Sequence, residues 1–141
     1  ANYVIIRTAW VYSIYGSNFV KTMIRLMKER EEISVVSDQK GSPTYARDLA
    51  NVILQIIDSN NWKNGIYHYS NEGDISWFDF ATAIKEVKGF TTKINPIASD
   101  AFPTPAKRPN FSLLDKTKIK ETYNINVPNW KISLQEMLAK M

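Results

Sequence analysis

Cysteine is absent from the 141 residues. That excludes a disulfide framework, a thiolate metal site and a cysteine nucleophile. There is a single histidine, His68, so a transition-metal site has too few nitrogen or sulfur ligands. His68 sits between Tyr67 and Tyr69 in an aromatic run and reads as a structural residue rather than a base. The five glycines stand at positions 16, 41, 65, 73 and 89. They are too scattered for a G-x-G-x-x-G loop, whose backbone amides and helix N-terminus would meet a pyrophosphate. None of the seven tyrosines is followed four residues later by lysine, so a Tyr-x-x-x-Lys proton-transfer pair is missing as well. No apolar run approaches the ~18 residues of a membrane span, and no charged leader precedes an apolar segment. A cytoplasmic chain without a membrane partner is expected. Lys+Arg 18 against Asp+Glu 14 leaves a net charge of +4. These cations are not gathered into one run, so a nucleic-acid partner is the weaker alternative.

What is present is hydrophobic alternation at two periods. Val4-Ile5-Ile6 forms a continuous apolar run of the type found in strands buried on both faces, and opening on it suggests a piece of a longer protein. After Ser17-Asn18, the residues Phe19, Val20, Met23, Ile24 and Met27 recur at helical spacing. Ile33–Val36 reads as a strand and residues 37–43 as a polar connector. Thr44 suits the N-cap of a second helix carrying Leu49, Val52, Ile53, Ile56 and Ile57. Ile66–Tyr69 reads as a strand. Ser76 and Asp79 have the capping-box spacing, with Trp77, Phe80, Ala81, Ile84 and Val87 on the helix behind them and Gly89 as its stop. Lys93–Ile97 looks extended. Residues 99–112, with Pro103, Pro105 and Pro109, form a long loop without regular structure. Asp115 suits the cap of a short helix through Tyr123, and Ser133 that of a last helix faced by Leu134, Met137, Leu138 and Met141. Strands alternating with helices indicate an α/β fold with partly parallel pairing. Residues 1–141 read as a single unit.

Few groups offer chemistry. The carboxylate pairs Glu31/Glu32 and Asp74/Asp79 read as a solvated helix end and a cap rather than as acid–base pairs. Two connectors are more suggestive. Asp38-Gln39-Lys40-Gly41-Ser42-Pro43-Thr44 lies between a strand and a helix, where α/β folds place ligand-contacting residues. Ala106 to Ser112 contains Arg108, whose guanidinium fork suits a pyrophosphate. The same spacing also describes a proline-rich surface loop.

Three segments in order carry a resemblance. Arg7-Thr8-Ala9-Trp10-Val11-Tyr12 with Gly16-Ser17-Asn18-Phe19-Val20-Lys21-Thr22-Met23, then Val35 to Thr44, then Arg108-Pro109-Asn110-Phe111-Ser112-Leu113-Leu114-Asp115, together resemble the dTDP-4-dehydrorhamnose reductases. The resemblance covers the C-terminal, substrate-binding portion of those extended short-chain reductases. It implies a Rossmann-like α/β fold lacking the N-terminal dinucleotide-binding half, which supplies the glycine loop and the Tyr-x-x-x-Lys pair. It further implies reduction of a dTDP-linked 4-keto-6-deoxy sugar to dTDP-L-rhamnose with NADPH or NADH, by a full-length enzyme and not by this portion alone. Carried over, Trp10 would lie beside the sugar and Asn18 would bond the sugar or pyrophosphate. Asp38 and Gln39 would contact the nucleotide end. Arg108 would hold the pyrophosphate, with Ser112 supporting its loop. Some members form a homodimer through Mg²⁺ held by a glutamate in the helix after Pro-Thr. Arg47 stands there in this chain, which counts against Mg²⁺. A related fold also serves as a non-catalytic regulatory subunit, which is the alternative function.

Overall fold

The computed structural model describes residues 1–141. Its longer strands pair in parallel. β1 (Val4–Arg7) lies beside β6 (Gly65–His68), with Ile5 opposite Ile66. β3 (Glu32–Val36) lies beside β8 (Lys93–Ile97), from Glu32 opposite Lys93 to Val36 opposite Ile97. Parallel neighbours need crossovers, and helices provide them. The order is α1 (Phe19–Glu29), α2 (Ala46–Asp58), α3 (Trp77–Lys88), α4 (Thr117–Tyr123) and α5 (Trp130–Ala139). The alternation expected from the sequence is therefore an α/β arrangement.

Four two-residue strands lie where the sequence shows no periodicity. β2 (Val11–Tyr12) pairs in parallel with β5 (Thr44–Tyr45), and β4 (Lys40–Gly41) pairs antiparallel with β7 (Ile75–Ser76). Two residues are too few to show alternation. These ladders nevertheless stitch the polar connector at 37–43 to the segments around Trp10 and Ser76. A 3₁₀ turn, Ser99–Ala101, also opens the loop whose prolines suggest no regular structure.

The helix caps show where local signals win. Asn18 caps α1, its Oδ1 accepting the Lys21 N–H at 3.2 Å. Ser76 and Asp79 form the complete capping box of α3, and Gly89 ends it in the left-handed region at φ 69°. Asp115 stands one residue before the N-cap of α4, Lys116, which makes no side-chain cap bond, and accepts the Thr117 N–H at 2.9 Å. Two further expected caps are displaced. Thr44 belongs to β5, its hydroxyl donates to the Ala9 carbonyl at 2.8 Å, and α2 starts behind Tyr45 without a side-chain cap. Ser133 lies inside α5, which is capped a turn earlier by Asn129. In both cases a tertiary partner claims the hydroxyl that a cap would have used.

The core has two parts. α1, α3, α5 and β3 enclose Val20, Ile33, Phe80, Ile84, Leu134 and Met137. α2, α4 and β6 enclose Val52, Ile56, Tyr67, Ile119 and Tyr123. Burying side chains such as Ile84 and Leu134, both at 0% exposure, contributes roughly 1.5–3 kcal/mol each. Between the two lies a polar centre. Asn71 donates to Asp48 Oδ2 at 2.7 Å and to Ser133 Oγ at 3.1 Å, and it accepts the Tyr45 N–H at 2.8 Å. Burial, helped by the nearby Asp48 charge, pushes the Tyr12 and Tyr69 hydroxyls well above their ordinary pKa.

β1 is not buried on both faces. Ile5 is 50% and its partner Ile66 42% exposed. Ile53, Leu54 and Ile57 of α2 are exposed as well, as are Val87 and Met141, which the helical spacing assigns to apolar faces.

Candidate functional site

A cavity of about 440 Å³ opens between α1, β3 and the loop after β8. Phe19, Trp77 and Phe102 supply aromatic surface, and Met23, Leu26, Val35 and Val36 complete the apolar wall. Thr22, Ser34, Gln39, Thr104 and Arg108 bring polar groups to the same space. Aromatic faces with a few hydrogen-bonding edges and one cation suit a planar heterocycle attached to an anionic group.

Each side is positioned by local structure. Phe19 is the first residue of α1 behind the Asn18 cap, and Trp77 the first of α3 behind the Ser76–Asp79 box. The two rings sit 4.7 Å apart. Asp79 is buried enough to oppose its ionisation, but the Ser76 hydrogen bonds and nearby Lys40 outweigh this and hold its carboxyl below the usual range. The cap is therefore charged near neutrality and favourably placed at a helix N-terminus.

Asp38 and Gln39 fasten the opposite side. Asp38 accepts the Ser99 backbone N–H at 3.0 Å and the Ser99 hydroxyl at 2.5 Å. Those two bonds, the hydroxyl's first, lower the Asp38 pKa. Gln39 Nε2 donates to Ser99 Oγ at 3.0 Å, and Gln39 also lines the cavity. Further along the loop, Ser112 donates its N–H to the Lys40 carbonyl at 2.8 Å, while Lys40 N–H donates to the Asn110 carbonyl at 2.7 Å. The loop holding Phe102, Thr104 and Arg108 is thus tied down at both ends.

Gln39 and Arg108 lie on the cavity wall. Arg108 has no ion-pair partner within the chain, so its guanidinium is available to an anion. Asp38 and Ser112 anchor the loop instead. Asn18 lies outside the lining. Its amide donates to the Ser13 carbonyl at 2.7 Å while its oxygen caps α1. Trp10 is also outside the lining and stacks on Trp77, with centroids 3.6 Å apart. Arg47 pairs with Glu136 at 3.1 Å on the surface. Phe19, Trp77 and Phe102 escape sequence reasoning as cavity residues. The first two carry helical spacing that reads as core, and Phe102 carries only the loop's proline signal.

The fold is an α/β unit with Rossmann-like parallel pairing, and the cavity opens on one side of it. The chain belongs to the family described as RmlD substrate binding domain, which it matches over residues 1–141. It is 42% identical to a dTDP-4-dehydrorhamnose reductase of Aggregatibacter actinomycetemcomitans, with 96% of this chain and 50% of the relative covered. It is 43% identical to the spore coat polysaccharide biosynthesis protein SpsK of Bacillus subtilis, with 96% and 47% covered. A dTDP-4-dehydrorhamnose reductase from Bacillus anthracis, solved in complex with NADP, superposes with a TM-score of 0.92 at 41% identity, covering all of this chain and 49% of that one. The chain spans about half the length of the curated relatives it matches. These findings bear out the resemblance to the substrate-binding portion of such reductases. No helix is long and apolar enough to cross a membrane.

Proposed function

We propose that residues 1–141 act as one substrate-binding portion of a dTDP-4-dehydrorhamnose reductase, holding the dTDP-sugar for reduction to dTDP-L-rhamnose in the cytoplasm. The observation that carries this is the cavity in which Phe19, Trp77 and Phe102 gather beside Gln39 and the unpaired Arg108. The thymine ring fits the aromatic wall, and its carbonyl and imide edges suit Gln39, Thr22 and Ser34. The guanidinium of Arg108 fits the pyrophosphate, whose planar pairs of oxygens it can meet with two N–H donors. Trp10, beyond Trp77, then borders the sugar, and Asn18 acts by setting the start of α1.

This chain's residues do not fit a nicotinamide dinucleotide on their own. No glycine-rich turn leads from a strand into a helix, and Gly41 is packed against Trp10 and Ser112. NADPH or NADH, the hydride donor of the proposed reaction, is bound mainly by residues outside this chain, which also supply the tyrosine that protonates the sugar oxygen. The chain alone is therefore inactive as a reductase. Its own part is to bind, orient and shield the sugar nucleotide. The longer protein is a candidate homodimer without a Mg²⁺ link, given Arg47 and its partner Glu136.

Titration of the chain with dTDP, followed by NMR, tests the reading. Saturable shifts at Phe19, Gln39, Trp77 and Arg108 are expected, and R108A should weaken binding while R108K recovers it only in part. Failure of dTDP to bind both this chain and the full-length protein would overturn it.

A further inference from the structure

Trp10 has a φ of 53°, a left-handed backbone seldom adopted by a residue with a bulky side chain. The backbone is held there from β5. The Trp10 carbonyl accepts the Thr44 N–H at 3.0 Å, and the Ala9 carbonyl accepts the Thr44 hydroxyl at 2.8 Å. Thr44 itself is fully buried. With the main chain fixed, the direction of the indole is decided by what it touches.

Two contacts decide it. The Trp77 ring lies against it with centroids 3.6 Å apart and planes 18° from parallel. Gly41 lies so close that a Cβ there would come within 2.9 Å of Trp10 Cζ2. Trp77 is a firm support because α3 begins at it, behind a complete capping box, and Phe19 packs at 4.7 Å from its ring. Of the two indoles only Trp77 lines the cavity. The stacked pair therefore connects the cavity wall to the segment between β1 and β2.

We infer that Trp77 is a positioning residue for Trp10, and that the missing side chain at Gly41 is what admits the Trp10 ring into its stacked position. An aromatic ring at 77 thereby sets where the Trp10 indole stands at the sugar end of the site. This second part rests on the proposed dTDP-sugar site, whereas the stacking relationship does not.

The test uses the whole chain. The chain labelled with 5-fluorotryptophan gives a Trp10 fluorine resonance identified by W10F. That resonance should move in W77A, return towards its wild-type position in W77F, and move in G41A although Trp77 is intact. A Trp10 resonance unmoved by W77A overturns the inference. If W77A does not fold, a resonance unmoved by G41A overturns it equally. The sugar end is read from the ratio of dissociation constants for dTDP and dTDP-rhamnose. W10A and W77A should each reduce the sugar's contribution, and their double-mutant cycle should show a coupling of about two- to tenfold. Additive effects would overturn the positioning role. If neither nucleotide binds while the fluorine shifts occur as expected, the substrate reading fails and the positioning of Trp10 stands.

Discussion

Asp38 holds Ser99 with both oxygens of its carboxylate, one on the backbone N–H at 3.0 Å and one on the hydroxyl at 2.5 Å. Sixty-one residues separate the two in sequence. The contact joins the connector after β3 to the start of the loop bearing Phe102 and Arg108. Folding lowers the Asp38 pKa, so the stabilisation is fully present above the unfolded carboxylate pKa. It is lost as pH falls through the lower folded value. Acidification should therefore release the Ser99 amide, whose protection factor against hydrogen exchange falls before those of the strand amides. In D38N, which has no group to protonate there, that fall should be absent.

At the polar centre, Asn71 is completely buried and serves Tyr45, Asp48 and Ser133 at once. Truncation would leave several buried partners without a bond. N71A should lower stability by about 2–4 kcal/mol in denaturant titration. N71D should be worse at neutral pH, because a second carboxylate then faces Asp48. A loss no greater than that of an exposed asparagine would show that the centre is hydrated rather than closed.

Gly89 tests backbone strain alone. It sits at φ 69° with nothing within 4 Å of an added Cβ, so G89A meets no clash. It should still cost about 1–2 kcal/mol through the left-handed conformation. G89N should recover part of that loss, since asparagine tolerates this region better. Thermal unfolding of the three proteins gives the order.

The S76A substitution removes the hydroxyl half of the α3 cap. A stability loss of about 1 kcal/mol is expected. The Trp77 ring, one residue further on, should become more mobile, and its fluorine linewidth would report this. An unchanged linewidth would mean that Phe19 and Trp10 hold the ring without the cap.

Ile5 and Ile66 stand side by side on an exposed strand face, while α2 exposes Ile53, Leu54 and Ile57. Apolar surface of this extent favours association. Sedimentation should show concentration-dependent self-association of the chain, reduced by I5T together with I66T. A clean monomer at high concentration would contradict this.

The sequence by itself determined the features carried by local spacing. The amphipathic row of α1, that of α3 as far as Ile84, the Ser76–Asp79 box and the Gly89 stop all depend on residues within one or two turns. They appear as the spacing indicates. Arg108 and Gln39 were legible as candidate ligands from residue type and loop position, and the chain's three motifs identified its family. Tertiary structure decided the rest. Thr44 and Ser133 could each have capped a helix, but Ala9 and Asp48, distant in sequence, took their hydroxyls. Ladders of two residues carry no period, so the pairing of Lys40 with Ser76 could not be read in advance. Trp77 and Phe19 have the spacing of core residues. Only the approach of a loop from beyond β8 turned one side of that core into a cavity wall. Periodicity records which residues leave water, whereas the partner each one meets depends on contacts across the whole chain.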